Sequence, residues 1–559
     1  MKNEKLNVLY LSAVAALFSN PALAGLNNYT QSNGTAVINI NKADANGLSH
    51  NTYQNFNVTR DGLVLNNSIT DLVRENGNIS RNSNLDKPAK VILNEVISDN
   101  ASSLNGFIEV AGQKADVIIA NPNGIACSGC GFINTRNATL TTGIPAFTDG
   151  KLTAIDVDKG MLTIRDQSLK GADYTTLLAQ KIAIQGQVDT GNLRAVAGQF
   201  TYYTDTARVT PNGNHRVQGN SIDISALGGV TAGLISLHTT EAGAGVNNHG
   251  VLNGSSLAIS SSGLLTNNGT MKARENIALS SAGELENRGD ILSQGNLAAK
   301  GNSGLTNTGS LQGVNVSLES GKNIGLLSGD ITARSNIALL SAGNIENHGD
   351  ILSQHNLSAR SDGGLTSTGS LQGENVILES GKNISFMSGK VTAKGNVALS
   401  AAGDIENRSD MTSQRNFSVQ AKNRLINHGS MRGVMVSLNA GKEIALLSGD
   451  VTATASASLS ADRVNNAAAF RSVNAYITSQ DFRNAGSMMS DGMFIITGSQ
   501  TLSNSGSLEG SILTLSSRKK VDNTSQGNLR ANILSINSPK MKSVKDLGGN
   551  YNASMVTFR

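Results

Sequence analysis

An aliphatic residue, Asn two places on, Gly four on and another apolar residue six on form a phrase that returns at a step of about twenty residues. It reads Leu265-Thr-Asn-Asn-Gly-Thr-Met271, then Leu285-Glu-Asn-Arg-Gly-Asp-Ile291, then Leu305-Thr-Asn-Thr-Gly-Ser-Leu311. Further full copies begin at Val246, Ile345, Leu425, Phe482 and Leu502. Copies at Leu365 and Ile405 put Ser367 and Ser409 in one polar place, and looser ones begin at Ile324, Ile384, Ile444, Val464 and Val521. A fixed step of this size means stacked similar units, and it is too short for a pair of helices. Val314-Asn-Val-Ser-Leu318 alternates apolar and polar residues, the period of a strand with one buried face, and Val434-Met-Val-Ser-Leu438 is its counterpart. Gly and Asn punctuate each unit where the chain must turn. Short strands and turns repeated in every coil predict an all-β fold, a right-handed parallel β-helix throughout the mature chain. Its coils stack at roughly 4.8 Å.

A longer rhythm lies over the first. Ser281-Ala-Gly-Glu-Leu-Glu-Asn-Arg-Gly-Asp290 returns as Ser341-Ala-Gly-Asn-Ile-Glu-Asn-His-Gly-Asp350 and again as Ala401-Ala-Gly-Asp-Ile-Glu-Asn-Arg-Ser-Asp410. Three coils were therefore duplicated as a block. The coil opening at Ile324 holds one extra residue before Gly329, which belongs in a turn, because a one-residue slip in a strand would turn the core face outward. Equivalent residues one block apart are roughly 14 Å apart. Lys322, Lys382 and Lys442 thus form an open row rather than a cluster, and Glu319 and Glu379 are equally separated. Asn267, Asn287 and Asn307, one coil apart, are expected to stack as an amide ladder.

Composition narrows the function classes. Aromatic residues are 4% and Trp is absent, so there are few rings for a large globular core or for sugar platforms. Net charge is only +4, with Lys and Arg scattered and no aromatic interleaving, which argues against a nucleic-acid partner. Lys2 and Lys5, the short apolar stretch from Val8 to Phe18 and the small residues of Ala22-Leu-Ala24 read as a cleaved export signal over residues 1–24. No later segment looks transmembrane and no C-terminal barrel pattern follows, so the chain is expected to carry no translocator of its own. Cys127 and Cys130 are the only cysteines. A CxxC pair can be a redox motif, half of a zinc site, a small-loop disulfide or two free thiols. No second pair, His cluster or thioredoxin-like pattern accompanies it, and an exported chain favours the local disulfide. No metal site and no cofactor are expected.

Residues 25–245 lack the clean repeat but remain β-rich, as in Lys114-Ala-Asp-Val-Ile-Ile-Ala120. Asn121-Pro122-Asn123-Gly124 follows, a good type I turn sequence in which Pro presets the second position. The run from Ala120 to Thr135, with Ala138-Thr-Leu-Thr-Thr-Gly143, resembles the secretion domain of two-partner-secretion exoproteins, the filamentous haemagglutinin/haemolysin family. Asn46-Gly-Leu-Ser-His-Asn-Thr-Tyr-Gln-Asn-Phe-Asn57, Gly62-Leu-Val-Leu-Asn-Asn67 and Val91-Ile-Leu-Asn-Glu-Val96 agree with it. The later coils resemble the family's haemagglutinin repeats.

The resemblance implies a secretion domain over 25–245, built as a β-helix with extra strands, then repeats over 246–540. An irregular tail is expected over 541–559. It implies recognition in the periplasm by an outer-membrane transporter barrel, passage unfolded, and folding outside. Two motifs are tied to that step in the family. NPNG stands intact as Asn121 to Gly124. The site matching NPNL reads Asn82-Ser83-Asn84-Leu85, so Asn82, Asn84 and Leu85 remain but Ser replaces Pro. Loss of the fixed turn geometry is expected there. The cysteine pair matches the subset of the family that has one.

Outside the cell the expected role is a surface or released adhesin that meets a cell-surface receptor or glycan through a repetitive face. The alternative is a truncated cytolysin or a contact-dependent-inhibition toxin stalk. A polysaccharide-active β-helix is a minor third reading. It would need clustered carboxylates and a basic catalyst, and the spacing provides neither, so the chain is read as a non-enzyme.

Overall fold

The structure, a computed structural model, describes residues 28–559 except 76, 166 and 214. The expected export signal at 1–24 lies outside the described residues. Two compact units divide the chain, Met1–Gly283 and Glu284–Arg559. Both are built mainly of parallel strands, and among the described residues the one helical element is a 3-10 turn at Val544–Asp546.

In the first unit, the strands Leu48–Tyr53, Val91–Val96, Ala115–Ala120, Thr135–Thr141, Tyr174–Ala179 and Asn192–Ala197 pair in parallel in that order. Ile92, Val117, Ala138, Thr175 and Leu193 face one another along one buried column. The neighbouring residues Leu93, Ile118, Leu178 and Val196 point the other way and are apolar too, so the outer face of this sheet also needs cover. An antiparallel four-stranded sheet supplies it, ordered Ile144–Thr148, Lys151–Val157, Phe200–Tyr203 and Val209–Pro211. Its Ile155, Val157 and Phe200 pack on those residues. Burial on both faces is why Val117-Ile-Ile-Ala120 is a continuous apolar run rather than an alternating one. These four strands form a sheet separate from the parallel stack.

In the second unit, the first residue of every phrase lies on one column. Leu285, Leu305, Ile324, Ile345, Leu365, Ile384 and Ile405 are consecutive partners, and Leu425, Ile444, Val464, Phe482, Leu502 and Val521 continue the series. All are buried. The extra residue of the long coils falls in a turn. Asn307 pairs with Leu326 and Leu311 with Ile331, so the register is kept on both sides of the turn at Leu327–Gly329.

The amide ladder exists but is broken. Asn287 donates to Asn307 Oδ1 at 2.7 Å, Asn407 to Asn427 at 2.8 Å, and Asn466, Asn484, Asn504 and Asn523 form an unbroken run at 2.8 Å per step. Between them, Leu326, Phe386 and Leu446 take the ladder position once per block. Asn287, Asn307, Asn427, Asn466, Asn484 and Asn504 also donate to a carbonyl two residues on, as from Asn307 to Gly309 O at 2.8 Å, which ties the ladder to its own turn. The Gly of the phrase answers a close approach: a Cβ on Gly309 would lie 1.9 Å from Gly289 O in the previous coil.

Residues 541–559 are not wholly irregular. Asn550–Phe558 is a strand in register with Asn528–Asn537, pairing Ile533 with Met555 and Ile536 with Phe558. Its side chains are mostly exposed or half-buried, so the alternation that marks other coils is weak here while the backbone pairing persists.

Candidate secretion motif

Asn121-Pro-Asn-Gly124 ends the strand Ala115–Ala120 and opens Ile125–Cys127. Gly124 N–H donates to Asn121 O at 3.1 Å and closes the turn, with Gly124 at φ +110°. The asparagine side chains face inward. Asn121 is fully buried, and its Nδ2 donates to Asn100 O and Ser102 Oγ, both at 2.9 Å. Its Oδ1 accepts from Asn123 N–H at 3.0 Å. Asn123 Nδ2 donates to Ser98 O at 2.6 Å. The turn is thus fastened to the segment Ser98–Ser102, whose Ser102 N–H donates to Gly124 O at 3.0 Å.

The second motif keeps the same construction without its proline. Leu85 N–H donates to Asn82 O at 3.2 Å, and Asn84 N–H donates to Asn82 Oδ1 at 3.0 Å. Asn82 is 1% exposed, and its Nδ2 donates to Ile40 O and Asn66 O, both at 2.9 Å. Asn84 Nδ2 reaches Asn39 O and Ile40 O at 3.3 Å. The expected loss of geometry does not occur. An asparagine that accepts from the amide two residues on folds its own turn, and Ser83 is simply its exposed second residue.

Other asparagines of the first unit are buried and bonded in the same way. Asn51 accepts from Asn41 N–H at 2.8 Å and donates to Leu93 O at 3.2 Å. Asn66 donates to Asn39 Oδ1 at 2.7 Å, and Asn67 donates to Ala89 O and Gln113 O at 2.9 Å. All three, with Asn94, are fully buried. Their signal was present: an apolar run that breaks into Asn, as in Leu63-Val-Leu-Asn-Asn67 and Val91-Ile-Leu-Asn94. Cys127 and Cys130 are bonded, with Cα atoms 5.4 Å apart, and both are buried at the turn after the motif.

The family model of the TPS secretion domain matches residues 19–267. Over 95% of the filamentous hemagglutinin secretion domain of known crystal structure, the chain is 33% identical, with 49% of this chain covered and a TM-score of 0.44. The chain belongs to the two-partner-secretion exoproteins. It is also similar to the toxin CdiA of Yersinia pestis, 38% identical over 285 residues, which are 48% of this chain and 8% of that one. A 16S rRNA endonuclease CdiA of Enterobacter cloacae is 42% identical over 222 residues, 38% of this chain and 7% of that one. The chain therefore spans under a tenth of the length of these relatives. Exoproteins of this family pass through the periplasm to the cell surface or the medium, and this chain is exported by that route. A TPS secretion domain implies an outer-membrane transporter as the partner in export. The family match runs past the first clean phrase at Val246, so regular coils begin inside the secretion domain.

Proposed function

We propose that the transporter acts on the first coils of the secretion domain and that both motifs serve export as internal braces of those coils. The buried Asn121 and Asn82 support this, because in the folded coil their side chains are used in internal hydrogen bonds. A finished first coil gives later coils an edge to add to, one at a time, as in other solenoids. Folded coils then cannot slide back through a narrow pore, so folding outside draws the chain out.

Outside the cell we propose an adhesin that meets its receptor or glycan through a repetitive face. Regular rows support it, since weak contacts repeated along a row add through multivalency. The relatives' names favour a second reading, a stalk of the contact-dependent-inhibition kind. The nuclease activities belong to those proteins. We infer a carrier rather than a catalyst for this chain, because Glu319 and Glu379 are three strand steps apart, through Leu340 and Arg360. One experiment separates the readings. Producer cells are mixed with labelled target cells, and attachment and target growth are both counted. Attachment without growth inhibition supports the adhesin, inhibition supports the stalk, and neither effect refutes both.

A further inference from the structure

The corner before the last strand of each coil changes chemistry along the second unit. Asn315, Asn336, Asn356, Asn375 and Asn396 each donate to the Asn one coil back at 2.8–3.1 Å, beginning from Asn296. Further on, the same column is apolar. Met493 takes the place above Asn474 and donates its N–H to Asn474 Oδ1 at 3.1 Å. Met493, Ile512, Ile533 and Met555 then face one another in successive strands. They are 41%, 39%, 37% and 56% exposed.

The other end of the same strands is cationic. Ile512 leads to Arg518, Lys519 and Lys520, Ile533 to Lys540, Lys542 and Lys545, and Met555 to Arg559, all exposed. From 518 to 559 there are eight Lys or Arg against Asp522 and Asp546, a net +6 where the whole chain carries +4. Among the described residues, only Arg530 of these eight pairs its side-chain charge with a carboxylate, Glu509 at 3.7 Å. The strand face between the two edges carries the uncharged, half-buried Thr514, Ser516, Ser535 and Asn537. It is roughly 20 Å from apolar edge to cationic edge at the rise of a strand.

We propose that this face docks on an anionic lipid bilayer. The Met and Ile edge enters the interface and the Lys and Arg edge neutralises headgroup phosphates. Single-stranded nucleic acid is the poorer fit, because its bases need ring faces to stack on and this face offers an aliphatic ridge. The consequence is retention of the exported chain on a membrane surface without a spanning segment. This stands whether the chain is an adhesin or a stalk.

The test is sedimentation of the purified mature chain with phosphatidylcholine vesicles, with and without phosphatidylglycerol. Binding to the anionic vesicles only, weakening with salt, is expected. Replacing Arg518, Lys519 and Lys520 by Ser should lower partitioning about 100-fold, at roughly fivefold per cation. Ile512→Ser with Ile533→Ser should lower it about tenfold or more and leave the salt dependence in place. Lys540→Ser with Lys542→Ser gives an independent cationic variant, and unchanged melting shows that each variant folds. Equal binding to neutral vesicles would overturn the proposal. So would full binding after loss of the cations. Indifference to the Ile changes, with undiminished binding to soluble polyphosphate, would reveal a polyanion site instead and refute the bilayer face.

Discussion

Replacing Asn121 or Asn82 by Ala should damage the first unit equally, although only Asn121 stands in an intact motif. Asn121→Ala removes two bonds donated to Asn100 O and Ser102 Oγ, one accepted from Asn123 N–H, and a long one of 3.3 Å accepted from Asn123 Nδ2 that adds little. Asn82→Ala removes two donated to Ile40 O and Asn66 O and one accepted from Asn84 N–H. Both side chains are buried, so water does not replace the lost partners. At about 1 kcal/mol for each bond, each substitution costs about 3 kcal/mol. Asn123→Ala loses the bond to Ser98 O and a long one of 3.3 Å to Asn121 Oδ1 from a half-buried position and should cost about 1 kcal/mol. Asn84→Ala loses only two long bonds of 3.3 Å and should cost less still. Global unfolding of a long repeat array is not two-state, so local stability is the quantity to read. Hydrogen exchange of amides in 98–124 and 63–89 should quicken roughly 100-fold in the respective Ala variants. Protection unchanged in Asn82→Ala, with protection lost in Asn121→Ala, would refute the equivalence of the two turns.

Three more outcomes follow from single sites. Ser83→Pro should stabilise the second turn by about 0.4–1 kcal/mol, read from the same exchange measurement, because the proline restricts the unfolded chain in a turn the fold already holds. Gly309→Ala should cost about 1–3 kcal/mol in urea titration of exchange across its coil, since its Cβ would meet Gly289 O at 1.9 Å and one coil must shift. Burial, opposed in part by His215 and Lys181, raises the carboxyl of Glu241 above its ordinary pKa. The fold therefore favours protonated Glu241, whose contribution is full below the unfolded pKa and is lost as pH rises through the folded one. Glu241→Gln should raise the melting temperature near pH 7, and the gain should vanish below about pH 4.

The phrase made most of the fold legible, because its first residue is the buried column itself and its Gly marks a real backbone approach. The block rhythm also located the extra turn residue. It did not show that Leu326, Phe386 and Leu446 interrupt the amide ladder, since apolar and amide side chains both satisfy an inward position. The antiparallel sheet left only a trace in Val117-Ile-Ile-Ala120, because its partner is an outward face that no local period reports. At the candidate site, the turn at Asn121 was readable from Pro122 and Gly124. The turn at Asn82 was misread because the proline was credited with geometry that the asparagine side chain supplies. The bonds to Ser98, Asn100 and Asn66 link distant stretches of chain and have no local signature. The strand Asn550–Phe558 was missed because exposed side chains hide its alternation. The cations between 518 and 559 looked scattered until the coils aligned the ends of their strands.

The most direct test is secretion of the tagged full chain with and without its co-expressed transporter, as wild type, Asn121→Ala, Asn82→Ala and Ser83→Pro. Export is expected only with the transporter, strongly reduced and to the same degree in both Ala variants, and retained in Ser83→Pro. Export without the transporter would contradict the family route. Export lost with Asn121→Ala yet intact with an equally destabilised Asn82→Ala would contradict the bracing role and make the first turn a recognition signal in itself.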